Sequence, residues 1–111
     1  MVFVTQAPRL GLDISKAERF GKFEFLFPPG TLSRVPVVLI HDIMRKLHDF
    51  QPERDYVLAL GDLLSMFVVG AALQTEGHDE VNVLRYDNRA MDYHVVNVPL
   101  FSMVWEGTNA H

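Results

Sequence analysis

Three aspartates stand where an α/β protein builds sites. Asp13 follows a first β-rich run by some distance, Asp62 follows the continuous apolar stretch that ends at Leu60, and Asp87 follows VNVLRY. In a parallel sheet the C-terminal ends of the strands share one edge, and ligands bind outside it. Carboxylates gathered there would be hard oxygen ligands for a magnesium ion. With Thr5 and Ser65 as hydrogen-bonding neighbours, they would equip a small nucleotide- or metal-binding enzyme. Each aspartate also has a plainer use: Asp13 and Asp62 as helix caps, Asp87 as a turn residue. The two readings differ in geometry, because a metal site needs the carboxylates to converge and a cap needs only its own backbone.

The turn LGDLL at Leu60–Leu64 has the outline of a phosphate-binding strand-turn-helix. Such a turn needs several free backbone N–H groups, repeated glycines and usually a basic residue. Here there is one glycine, no adjacent base, and a carboxylate at the position an anion would take, so a capped turn is expected. Ser65 falls three residues past Asp62 and outside any G-x-S-x-G elbow, which suits a surface or first-turn serine. His41 and His48 lie seven apart, about 10 Å along a helix, too far to share one metal ion. His78 falls in a turn, His94 in a strand and His111 at the chain end. The absence of cysteine rules out disulfides, thiolate zinc sites and cysteine nucleophiles. No cofactor is expected.

The elements that would position these residues can be read from pattern. VFV at residues 2–4 is a strand, and Asp13 opens a short helix through Phe20 that Gly21 stops. KFEFLF alternates as an edge strand. Pro36 suits the first turn of a helix reaching about Phe50, with Ile40, Ile43, Met44 and Leu47 inward. Asp55–Leu60 is a third strand, continuously apolar over Val57–Leu60, as expected of a central parallel strand covered on both faces. A helix over Leu63–Glu76 follows, then VNVLRY and YHVVNV joined by a tight turn as an antiparallel pair. The expected fold is an α/β single domain: a mostly parallel sheet in the order 2-1-3-4, an antiparallel C-terminal edge strand, and helices on both faces. Residues 1–98 form the core, and 99–111 a tail.

A chain of 111 residues with 49% hydrophobic and 22% charged residues carries one core and is not a disordered sequence. A net charge of -4 with scattered arginines gives no footprint for nucleic acid. The longest apolar run, Leu63–Leu73, is too short to span a bilayer, and nothing at the start resembles a secretion signal. A soluble, cytoplasmic protein is expected.

The helix over Leu63–Glu76 has no polar stripe, since Ser65 and Gln74 point to nearly opposite sides. Its outer side, placed near Val68, Val69 and Ala72, therefore needs a cover. Phe101 and Trp105 in the apolar terminal run pose the same problem. The run folded over the helix would solve both within one chain, and a homo-oligomer would solve them between chains.

Three motifs carry a family resemblance: D-x-S-x-A-x-x-F-G from Asp13 to Gly21, D-Y-V-L-x-x-G from Asp55 to Gly61, and V-N-V-L-x-Y-D from Val81 to Asp87. Together they resemble a set of small proteins encoded in phage genomes and environmental viral sequence, over most of the chain to about Val98. Those relatives often carry G-H-D where this chain has Gly11, Leu12 and Asp13, so a histidine is absent here. The resemblance implies a viral origin and a setting inside the infected host cell, and it implies no reaction. The primary expectation is a non-enzymatic accessory domain that binds a protein partner; the alternative is the aspartate-based enzyme.

Overall fold

The computed structural model describes residues 1–100. Five strands form one sheet in the order β2-β1-β3-β4-β5, with β1 at Val2–Gln6, β2 at Phe23–Phe27, β3 at Tyr56–Leu58, β4 at Glu80–Asp87 and β5 at Asp92–Pro99. The first four run parallel; β4 and β5 form an antiparallel hairpin from Glu80↔Pro99 to Asp87↔Asp92. The expected order, the edge placement of β2 and the antiparallel last strand all hold.

The layering follows from the path of the chain. From β1 the chain steps outward to β2, then returns over β1 to β3 and on to β4. Right-handed crossovers tie the face a connection covers to its direction of travel, so the reversal puts the first connection opposite the next two. Accordingly, Ile14 and Ala17 pack with Val2, Val4, Leu58 and Leu84 on one face. On the other face α1, Val37–Leu47, and α2, Leu63–Thr75, bury Ile43, Leu47, Val69 and Leu73 against Phe3, Phe27 and Val57.

Three details differ from the sequence reading. Ser15–Phe20 is a 3-10 helix, closed by bonds of the Ala17 N–H to Ile14 O and the Gly21 N–H to Glu18 O. Asp13 does not cap it directly; its Oδ1 accepts from the Ser15 N–H in the turn just before. The third strand ends at Leu58 rather than Leu60, because beyond that point the Thr5 hydroxyl takes over from the strand ladder. It donates to Leu60 O at 2.6 Å and accepts from the Leu60 N–H at 2.8 Å.

The third correction concerns α2. Val69 and Ala72, expected on its outer side, face the core, and Val68 is half-buried. With apolar residues all round, the pattern gives no rotation about the helix axis. The rotation is fixed where the helix start is tied to the rest of the fold: the Asp62 N–H donates to Gln6 Oε1 and Asp62 Oδ2 accepts from the Leu32 N–H, while Asp62 Oδ1 caps the helix through the Leu64 N–H and buried Ser65 donates its hydroxyl to Asp62 O. Ser65, Val69 and Ala72 then line one side at four- and three-residue spacing. Leu63, Phe67 and Ala71 are left outward.

Candidate functional site

The strand order reverses between β1 and β3, and there the two C-terminal ends part to leave a crevice of about 410 Å3. In open α/β sheets this is the favoured place for a ligand. Gln6, Pro8, Arg9, Leu12, Leu60, Gly61 and Asp62 line it. Two of its polar side chains, Gln6 and Asp62, are engaged with the fold itself. The buried Gln6 amide donates to Pro28 O at 2.9 Å and Gly30 O at 2.5 Å, and its Oε1 accepts from the Asp62 N–H at 2.6 Å. Gln6 thereby ties the end of β1 to two loops.

Asp62 uses both carboxylate oxygens on backbone: Oδ1 on the Leu64 N–H at 2.9 Å and Oδ2 on the Leu32 N–H at 3.1 Å. The other two aspartates serve their own turns. Asp13 accepts from Ser15, and Asp87 accepts from the N–H groups of Arg89 and Ala90 at the hairpin turn. Among the described residues no three acidic or histidine side chains are grouped to hold a metal ion, so Asp13, Asp62 and Asp87 are not brought together. Nor do the four histidines among the described residues assemble a centre, and His111 lies outside those residues. His41, His48 and His94 are exposed, and His78 lies edge-on against Phe50 at 5.2 Å. Ser65 is a buried first-turn serine, not a surface one.

The electrostatics agree with this division of labour. The Ser15 side-chain and backbone contacts lower the Asp13 pKa, and backbone bonds from Leu64 and Leu32 lower that of Asp62, both below the usual 3.8. The Tyr93 N–H, followed by Arg19, does the same for Asp92. Burial, with Tyr86 and Asp13 nearby, pushes the Tyr93 phenol up. Carboxylates depressed in the folded state add stability above their unfolded pKa, and that contribution is lost as pH falls from there through the folded values. Urea melts stepped downward from pH 5 are therefore expected to lose stability from near pH 4. Asp62→Asn, which keeps an N-cap acceptor but cannot titrate, should flatten that decline. A slope identical to that of the parent protein would show Asp62 to be uncoupled from folding.

Among the other concave features, one apolar groove of about 310 Å3 lies between α1 and α2, lined by Ile40, Met44, Phe67, Val68, Ala71 and Thr75 among others. Phe67 is 75% and Leu63 78% exposed, and Val37 and Val38 at the start of α1 stand out as well. The sequence reading identified the helix but not these residues. The missing signal is long-range: Asp62 reads as the cap, but its ties to Gln6 and Leu32, which hold the helix with Ser65 inward and Phe67 outward, join residues far apart in sequence. Phe101 and Trp105, also expected at an interface, lie outside the described residues.

No helix among the described residues is long and apolar enough to cross a membrane. No curated protein and no solved structure matches the chain. One family model matches residues 1–100, spanning every element described above and all three sequence motifs. The chain belongs to the phage Pam3 gp32-like protein family.

Proposed function

We propose that this phage-family domain is a non-enzymatic accessory protein that works in the host cell by binding a protein through the outer face of α1 and α2. The observation that carries the reading is the exposed apolar surface at Phe67 and Leu63 beside the α1/α2 groove. Contiguous apolar surface on a small domain marks an interaction site far more often than a solvent face. The alternative based on three aspartates loses its support, since each carboxylate is engaged by backbone N–H groups close to it in the fold.

A second reading is favoured by one observation: the crevice at the strand-order reversal, where Arg9 stands beside Asp62. It is a small-ligand site without the aspartates as ligands. Thermal unfolding with magnesium, manganese and nucleotides separates the two, because a ligand specific for the folded state raises its apparent stability. The binding-protein reading expects an unchanged midpoint. A rise of several degrees that Arg9→Ala removes would establish the crevice as a ligand site instead.

A further inference from the structure

We propose that the protein seated on the α1/α2 face is a second copy of this chain, related by a two-fold axis that passes beside Phe67. The inference rests on the binding reading above and names its partner.

Charge is the first argument. A patch that meets itself across a two-fold must be self-complementary, and an uncharged patch meets that condition without any pairing of charges. No charged residue occurs in the thirteen positions of α2. On neighbouring α1, Asp42 is already paired with Arg45 and, at 3.3 Å, with Lys46. Nothing on this face calls for a charged partner. Each copy carries a net charge of -4, so two copies repel except where an uncharged surface lets them approach.

Shape is the second. Phe67 projects at the wall of the groove, and one turn further on stand exposed Ala71 and half-buried Gly70, where an added Cβ would meet open space. Projection and hollow thus lie on one helix, the arrangement an isologous pair requires, with each copy giving one aromatic ring and receiving one. The apolar surface continues a turn back along each helix, to Leu63 and to Val37 and Val38. At about 150–250 Å2 for a phenylalanine and somewhat less for each aliphatic side chain, these four residues supply over half of the roughly 800 Å2 per partner found in stable complexes.

The test combines sedimentation velocity with hydroxyl-radical footprinting on the full chain and on Phe67→Ser, with Leu63→Gln as a second variant. Both substituted positions are exposed, so neither change disturbs the core. The expected result is a micromolar dimer in which Phe67 is protected from oxidation, and which either variant weakens by roughly thirtyfold or more for the aromatic anchor. A dimer indifferent to both variants overturns the proposal by placing the interface elsewhere. A monomer with readily oxidised Phe67 overturns the second copy while leaving the face free for a different protein. A monomer with protected Phe67 overturns the second copy and the binding reading together, since the chain would then cover its own groove.

Discussion

Gly61→Ala is expected to destabilise the domain by about 3–5 kcal/mol, as read from urea or thermal unfolding. Two costs combine at this position. Gly61 has φ +92, a conformation that costs a residue with a side chain roughly 1–3 kcal/mol. A Cβ there would also fall 2.1 Å from Gln6 Oε1 and 2.8 Å from Gln6 Cβ. A flexible surface side chain would swing away, but Gln6 is buried and holds Pro28, Gly30 and Asp62 at once. Moving it breaks bonds worth about 1–3 kcal/mol each when a buried partner is left unsatisfied. The double-mutant cycle gives the sharper form. In a Gln6→Ala background the clash with Oε1 and Cδ is gone while the approach to Cβ remains, and no bond of Gln6 is left to break, so Gly61→Ala should cost less than in the parent chain by about 1–3 kcal/mol. Additive effects would mean that Gly61 and Gln6 do not meet.

Asp55→Ala should cost about 2–4 kcal/mol, and Asp55→Asn clearly less. Asp55 is only 2% exposed, a depth at which an aspartate is rare unless paired. Its Oδ2 accepts from the Gln51 N–H at 2.9 Å, closing the loop between α1 and β3, while Oδ1 faces the Met1 ammonium at 3.3 Å and Arg54 Nε at 3.5 Å. These cations are held by charge rather than by well-aimed hydrogen bonds, and both are substantially exposed, so water compensates them when the carboxylate goes. The Gln51 N–H has no such recourse. An amide at position 55 can still accept from it, which is why the asparagine variant separates the hydrogen bond from the charge. Equal losses in the two variants would assign the whole effect to the ion pairs.

Both predictions fall inside sequence motifs, and this bears on what those motifs are for. In D-x-S-x-A-x-x-F-G, Asp13 and Ser15 make a turn, Ala17 is fully buried against the sheet, and a Cβ on Gly21 would lie 2.8 Å from Met1 N. In D-Y-V-L-x-x-G, Asp55 closes a loop, Val57 and Leu58 fill the two cores, and Gly61 makes room for Gln6. In V-N-V-L-x-Y-D, Val81 and Leu84 do the same for the two faces, and Asp87 shapes the hairpin turn. The motif residues that resemble a catalytic set are accounted for by backbone and packing.

The fold was legible because its signals are local and redundant. A continuous apolar stretch at Val57–Leu60, alternation at Phe23–Phe27, and Asp62 ahead of a long apolar run each admit few structures, and the right-handed crossover rule assembles them into one order. The exposed apolar surface of α2 was less legible for a definite reason. An amphipathic helix declares its buried side, as α1 does with Ile43 and Leu47, whereas α2 is apolar on every side and declares none. Its rotation depends on the bonds that tie Asp62 to Gln6 and Leu32, which a local pattern does not contain. Gln6 escaped notice for a similar reason: its importance comes from two loops distant in sequence, around residues 28–30 and 61–62. Likewise, whether three aspartates converge is a property of loops, and these loops keep each carboxylate for local backbone.

The central claim, that this domain acts through an uncharged helical face rather than through a chemical site, is tested most directly by amide chemical shifts followed through a dilution series. The account predicts shifts that change with concentration along Val37–Ile40 and Leu63–Ala71, while the amides around Asp13 and Asp87 and those of the crevice at Gln6, Ala7 and Arg9 stay fixed. Spectra independent of concentration on α1 and α2, together with magnesium- or nucleotide-dependent shifts at the crevice between β1 and β3, would contradict it.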